Sequence, residues 1–442
     1  LFRSDKFYME NKLYLKETTQ VLTPFLAIEE ATRCLLCHDA PCSKACPAGT
    51  NPAKFIRSLR FNNPKGAIET IRTNNILGGI CSRVCPYDKY CESACSRCGI
   101  DNPIKIGALQ RYLTDYEQRI NLKVLDKVEA TKEKIAIIGS GPSGITAASE
   151  LALKGYKVRV FEKKDILGGW LSYGIPPERL PTQIVQNEIN YIKELGVDFK
   201  TNCTVGKDVK IDALRSQGFK AFILACGNQS GKTIDVKGSH LQGVVNGIDF
   251  LSEAKTKNGN ITVGNHVIII GGGDVAMDCA STAKLLGSED VKIVYRRTIE
   301  KMPATVGERK HVQSLNIPIF TGFKPSEVIG KNGKVVSFKA AGMFDESTLD
   351  IVADMVIFAV GQESEDIETI VDVKVNKKGI VITENYRTNV EDIFASGDIV
   401  CGDKTVVQAV ASGKLVALEI EKYLTSKKGS METIRLSSTK EA

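Results

Sequence analysis

Cysteine spacing constrains this chain more than any other feature. Nine of its thirteen cysteines lie between Cys34 and Cys98, in two runs. The first reads C-x2-C-x4-C-x3-C-P through Cys34, Cys37, Cys42, Cys46 and Pro47. The second reads C-x3-C-P-x4-C-x3-C-x2-C through Cys81, Cys85, Pro86, Cys91, Cys95 and Cys98. Such spacings bring thiolates from several turns of chain onto iron–sulfur clusters, and a terminal Cys-Pro is frequent because that cysteine serves a different cluster. Structural zinc favours C-x2-C pairs or cysteine with histidine, and the zone holds only His38. Nine thiols are one more than two four-iron clusters take, so spacing alone does not assign the ligands.

Composition narrows the setting. At 442 residues there is room for two or three domains. A hydrophobic share of 43% and a charged share of 25% are ordinary for a globular chain. The net charge of +7 comes from scattered basic residues, not from a long basic run, so nucleic acid is not an expected partner. No apolar stretch approaches the ~18 residues of a membrane span. The segments HVIII and MVIFAV read as buried strands. The beginning lacks the apolar core of a secretory signal, and Met9 reads as a start. The expected compartment is a reducing cytoplasm, where dense cysteines mean metal or redox chemistry, not disulfides.

Texture changes along the chain. Residues 1–125 pair the cysteines with helical patterns such as PAKFIRSLRFNNPKGAIETIRTNN. Two strand–glycine turn–helix–strand units follow, one starting KIAIIGSGPSG and one starting NHVIIIGGGDVA. Each is the βαβ signature of a parallel sheet. The expectation is an α/β protein with an all-α N-terminal domain: a helical, ferredoxin-like domain with two [4Fe-4S] clusters, then two Rossmann-like dinucleotide-binding domains, the second inserted in the first. The expected boundaries are 126–240 and 355–425 for an FAD domain and 241–354 for an NAD(P) domain. Residues 426–442 are polar and aperiodic, and disorder is expected there.

In the first loop Gly139, Gly141 and Gly144 form GxGxxG, with Ser140, Pro142 and Ser143 between them. The glycines allow the backbone to approach a pyrophosphate at a helix N-terminus. Glu162, followed by Lys163, closes the next strand and suits a ribose diol. Near the C-terminus FASGDIV, with Gly397 and Asp398, resembles the segment where flavoprotein reductases hold the ribityl chain and pyrophosphate. The helix starting near Thr405 would aim its positive end at the flavin pyrimidine. Gly168, Gly169, Trp170 and the run YGIPPERLP with Arg179 resemble the flavin-side loop of those proteins, and Val205 joins the FAD set. Relatives commonly have leucine where Trp170 stands.

The second loop reads Gly271-Gly272-Gly273-Asp274-Val275-Ala276. Its following strand ends in Arg296 and Arg297 with no acid. A guanidinium fork matches a 2′-phosphate, which favours NADPH over NADH. The competing reading is that these arginines are surface groups paired with Glu300 or Glu308. Ala359, Val360 and Gly361 would close the nicotinamide side.

The text CLLCHDAPCSKACPAGTNPAKFIRSL, followed by NNILGGICSRVCPYDKYCESAC and PIKIGALQRYLTDY, resembles the N-terminal part of dihydropyrimidine dehydrogenases. The chain as a whole, from about residue 20 to 424, is similar to the flavin-containing small subunits of the bacterial two-subunit enzymes. The resemblance implies one cluster on Cys34, Cys37, Cys42 and Cys95 and a second on Cys46, Cys85, Cys91 and Gln110. Without it Gln110 reads as an exposed helix residue. Cys81 and Cys98 are then left over as structural thiols, with Cys98 a rival to Gln110. Cys226 and Cys279 read as packing residues because neither has a C-x-x-C partner.

The resemblance further implies hydride transfer from NADPH or NADH to FAD, with electrons leaving through the clusters to an FMN- and iron–sulfur-containing partner subunit that reduces uracil or thymine. No side chain is expected to act as nucleophile or general base. The small subunit of NADPH-dependent glutamate synthase shares the GGGDVAMDC and YRR motifs, but its cysteine zone usually reads GCPLGN after the early cysteines. A redox sensor that binds nucleotide without turnover is the third reading.

Overall fold

A computed structural model describes residues 13–18, 21–232, 234–363, 367–376, 379–402 and 405–438. The chain divides into two compact units. One comprises Leu1–Thr19, Trp170–Thr182 and Gln229–Glu363; the other comprises Gln20–Gly169, Gln183–Asn228 and Ser364–Ala442.

In the second of these, the cysteine zone is built from short helices with well-marked starts. Pro24, Pro41, Pro52 and Pro64 open four of them, where the missing N–H costs nothing and φ is already helical. Thr23, Asn51 and Asn63 accept from free N–H groups of the first turns. These helices bury Phe55, Ile56, Leu59, Ile68 and Ile71 against Ile106, Leu109 and Leu113 of the helix Ile106–Arg119. The same helix also buries a polar stripe of Gln110, Thr114 and Glu117, at the same helical repeat.

The remainder of this unit holds a five-stranded parallel sheet. Its order is Ile393–Ala395, Phe219–Leu224, Lys134–Ile138, Lys157–Phe161, Asp198–Lys200. Register sets Ile135 between Val158 and Ala221. Strands buried on both faces read as continuous apolar runs, which is why KIAII and AFIL carry no alternation. The helix Pro142–Leu153 packs on the long helix Val406–Ser438. That long helix crosses most of the 426–442 stretch expected to be disordered; residues 439–442 lie outside the described residues.

The other unit is centred on a second five-stranded parallel sheet, ordered Val244–Asn246, Met355–Phe358, His266–Ile270, Asp290–Tyr295, Ile319–Thr321. A three-stranded antiparallel sheet, Phe323–Lys331, Lys334–Gly342 and Thr348–Val352, accompanies it. Val267, Ile269, Ala276, Ala280, Ile293 and Ile357 form the core between sheet and helices. The segment Trp170–Thr182, between the two βαβ patterns in sequence, belongs to this unit. Among the described residues no helix is long and apolar enough to cross a membrane.

Candidate functional site

Four cysteines from two stretches of chain line one cavity: Cys34, Cys37, Cys42 and Cys95, with Ala40, Pro41 and Ile56 as apolar wall. Leu36 takes φ of 53°, which lets the C-x2-C turn close back on itself. An Arg60 N–H donates to the Cys34 carbonyl at 3.0 Å and anchors the turn. Burial, with the neighbouring Cys95 and Cys37, pushes the Cys34 thiol up; burial with Cys95 and Cys34 does so for Cys42. Unpaired thiols gathered in an apolar wall fit a cation-bearing group, because bound iron supplies the positive charge that makes them thiolates.

The second set is more deeply buried. Burial pushes the Cys85 and Cys91 thiols up, reinforced at Cys85 by Cys81, Cys91 and Cys46, and at Cys91 by Glu92 and Cys46. Gln110, 8% exposed, donates from Nε2 to the Gly78 carbonyl at 2.7 Å, which fixes the amide beside the helix that carries Cys81. Cys81 is buried too, and its thiol is pushed up to about 12 by burial. Cys98 departs from the expectation. It is exposed, with its sulfur 3.4 Å from the Glu92 carbonyl, so the spare thiol beside this set is Cys81.

In the first glycine loop Gly139 has φ of 107°, and a Cβ there would stand 2.4 Å from the Ala225 carbonyl oxygen. Glu162, buried at the end of its strand, reaches back to the loop. Its Oε2 accepts from the Ser140 N–H at 3.0 Å and the Ser140 hydroxyl at 2.6 Å, while Oε1 accepts from the Lys164 N–H. Ser140 in turn accepts from the Gly168 N–H at 3.0 Å. Gly141 caps the helix Pro142–Leu153, and Gly169 lies against it. Ser143 joins Ser396 at 2.8 Å, which brings the C-terminal SGD segment to the loop. The Gly397 N–H donates to Ser412, Asp398 opens a short helix, and Thr405 starts the long one with its hydroxyl on Gln408. Gly139, Gly141, Gly144, Glu162, Gly397 and Asp398 therefore lie around one sheet edge. Val205 is buried in the core under it.

Two residues expected at the flavin fall in the other unit. Trp170 packs on its apolar core, over Gly174. Arg179 lies with the second nucleotide domain: its guanidinium meets Asp278 at 2.5 Å and Glu308 at 2.7 Å. Both carboxylates belong to the helices that follow the second glycine loop, and their distance in sequence hides the pairing. Glu308, weighed as a partner of Arg296 or Arg297, is thus engaged by Arg179.

That second loop repeats the geometry of the first. A Cβ on Gly271 would lie 2.2 Å from the Ala359 carbonyl oxygen, and the Ala359 N–H donates to Ile270 at 2.8 Å. Gly273 caps the helix that begins Asp274, Val275, Ala276. Lys232 N–H donates to Gly361, beyond Val360. Arg296 and Arg297, both exposed, line a cavity of about 560 Å³ with Thr298, Lys301, Met343 and Phe344. The last three were not singled out from the sequence. Lys301 follows the arginines closely enough to have been found, whereas Met343 and Phe344 come from a distant hairpin turn.

A buried charge cluster stands beside this loop. Burial and Glu308 push the Asp274 carboxyl up to about 8; against burial, Arg179, Asp274 and Thr305 hold Glu308 low. The two carboxyls titrate as a pair that holds one proton between them. Burial raises Asp278 to about 6 and lowers Lys255 to about 7. The Lys255 ammonium donates to the carbonyls of Leu171, Ile175 and Leu180 and ties down the segment that carries Arg179.

Residues 133–413 match the model of the pyridine nucleotide-disulphide oxidoreductases, and residues 11–122 match that of the 4Fe-4S domain II of dihydropyrimidine dehydrogenase. The chain belongs to the pyridine nucleotide-disulphide oxidoreductase family. It is an oxidoreductase that binds FAD and a nicotinamide dinucleotide and carries a 4Fe-4S domain. It is 45% identical to the NAD-dependent dihydropyrimidine dehydrogenase subunit PreT of Salmonella typhimurium, over 94% of this chain and 98% of that one. It is 30% identical to the small chain of NADPH glutamate synthase from Azospirillum brasilense, over 91% of this chain and 90% of that one. Among solved structures, Mycobacterium tuberculosis FprA in complex with NADPH superposes with a TM-score of 0.58 at 20% identity, covering 68% of this chain and 86% of that one. Lactococcus lactis thioredoxin reductase does so with 0.55 at 22% identity, covering 67% of this chain and all of its own. These structures share the fold of the two nucleotide domains with this member of the family.

Proposed function

We propose that this chain is the electron-input subunit of a dihydropyrimidine dehydrogenase. It takes hydride from NADPH, or less readily NADH, and passes electrons to an FMN- and iron–sulfur-containing partner subunit that reduces uracil or thymine to the 5,6-dihydro product. The observation that carries this reading is the convergence of Cys34, Cys37, Cys42 and Cys95 on one cavity, in a chain with two pyrophosphate-type loops. The 45% identity to a protein named as such a subunit supports the substrate and the partner.

When bound, FAD accepts hydride as a pair and clusters release electrons singly. The residues contribute binding and orientation. Gly139, Gly141 and the helix N-terminus at Pro142 would cradle the flavin pyrophosphate, and Glu162 would exchange its Ser140 contact for the adenosine ribose. Trp170 and Arg179 belong to the flavin-side segment in this reading, with Arg179 held by Asp278 and Glu308. Gly271, Gly272, Gly273 and Ala276 would take the second pyrophosphate. Arg296 and Arg297, with Lys301 in the same cavity, would fork a 2′-phosphate. Cys34, Cys37, Cys42 and Cys95 would hold one cluster; Cys46, Cys85, Cys91 and Gln110 would hold the other. The second nucleotide domain would be inserted in the first, and the setting is cytoplasmic.

Co-purification of the native complex, followed by assay with uracil and with 2-oxoglutarate plus glutamine, tests the reading. Dihydrouracil formation is expected. Glutamate formation would replace it with the glutamate synthase reading, which the 30% identical relative favours.

A further inference from the structure

A buried ionic triad joins the cysteine-bearing helices to the flavin-type domain. Arg72, 3% exposed, lies between two carboxylates, Glu117 and Glu188. Its Nε donates to Glu117 at 2.9 Å and its Nη2 at 2.6 Å, so both oxygens of Glu117 are engaged. Its Nη1 meets Glu188 Oε1 at 2.7 Å, and the guanidinium lies over the Tyr191 ring. One guanidinium therefore faces two carboxylates, and the triad carries a net −1 when both are ionised; burial pushes the Glu188 carboxyl up and Arg72 opposes it.

The two carboxylates are not equivalent. Glu188 Oε1 also accepts from the Gly79 N–H at 3.3 Å, but its Oε2 is buried with no hydrogen-bond partner among the described residues. In a low-dielectric interior such a charge is only weakly screened. It acts toward the second cysteine set. Gly79 lies on the helix Gly78–Val84, which carries Cys81, whose thiol is raised by burial first and then by Cys46 and Glu188. A Cβ at Gly79 would stand 2.8 Å from Glu188 Oε1, so only glycine admits the carboxylate this close to the helix. Of the other charges on these helices, Arg83 and Arg111 both engage Asp115, and Arg83 also donates to the Gly79 carbonyl at 3.2 Å.

We propose that Glu188 is a positioning and potential-setting residue: its charge, offset only in part by Arg72 and held beside Gly79, lowers the reduction potential of the cluster held by Cys46, Cys85 and Cys91. A fixed negative charge in a low-dielectric site disfavours the added electron, and cluster potentials respond to nearby charge and hydrogen bonding. The inference rests on the assignment of a second cluster to those cysteines.

The test is a redox titration of the anaerobically purified protein, followed by electron paramagnetic resonance. Glu188→Gln keeps shape and one hydrogen bond but removes the charge. It should raise the second cluster's reduction equilibrium about tenfold, or about 59 mV for one electron. The first cluster should move by less than threefold. Glu117→Gln removes an equal charge from the carboxylate that does not accept from Gly79, and it should shift the second cluster less than Glu188→Gln does. Glu188→Asp keeps the charge and carries the test if Glu188→Gln loses iron; it should stay within threefold of the native protein. An unchanged potential in Glu188→Gln, equal shifts of both clusters, or a tenfold shift in Glu188→Asp would overturn the proposal. A native protein with one cluster signal only would instead overturn the two-cluster assignment beneath it.

Discussion

At the residue scale, chemistry is legible where spacing forces it and hidden where partners are remote. Cys34, Cys37 and Cys42 stand within one turn-rich stretch, and the structure adds Cys95 to the same cavity. Cys42→Ser should therefore remove about half of the bound iron and leave the FAD content unchanged, as iron and flavin assays would register. Arg296 and Arg297 read from the strand end as a phosphate fork, and they share a cavity with Lys301. Each charge-assisted hydrogen bond to a phosphate contributes about 1.5–3 kcal/mol. Arg296→Glu should accordingly lower the ratio of kcat/KM for NADPH over NADH by about 10- to 100-fold; an unchanged ratio contradicts the fork. The partners of Arg179, Asp278 and Glu308, lie far along the chain from it, so spacing does not reveal them. Gln110 without family context reads as a surface residue. It is buried because Gln110, Thr114 and Glu117 form a polar stripe that faces other polar groups, and hydropathy periodicity does not register such a stripe.

At the element scale, the two strand–glycine–helix units are readable because sterics leave little choice: Gly139 and Gly271 each meet a carbonyl where a Cβ would stand. The helical cysteine zone is equally explicit, with prolines and Asn or Thr caps marking its starts. The segment Trp170–Thr182 is not, since its anchors, Lys255 and the carboxylates that hold Arg179, are remote in sequence. Lys255→Met leaves three carbonyls short of a donor, at about 1–3 kcal/mol for each buried one. It should destabilise the protein by at least ~2 kcal/mol in urea unfolding, and a loss under ~0.5 kcal/mol would mean that the contacts do not anchor the segment. The shared proton gives a pH signature. The Asp274 carboxyl is raised from 3.8 to about 8, so the folded state holds a proton that the unfolded chain has released. That contribution is complete below about 4 and is lost as pH rises through about 8. Asp274→Asn should therefore gain stability relative to the native protein between pH 7 and 9. A difference that stays constant over that range contradicts the shared proton. Lys255 titrates in the opposite sense in both proteins and cancels in the comparison.

At the scale of the whole molecule, the family match over 133–413 and the 4Fe-4S match over 11–122 fall on the two textures that the sequence separates. Composition and periodicity alone reach that division. The long final helix departs from it, because a polar, aperiodic tail gives no apolar stripe from which to read a helix. A converter between paired and single electrons needs both a flavin and clusters, and this sets the expected cofactor load. Anaerobically purified protein should contain one FAD and about eight iron and eight acid-labile sulfide per chain, and NADPH should bleach its flavin absorbance. Protein folded to the same secondary-structure content, but without flavin, iron and sulfide at stoichiometric levels, would contradict the account.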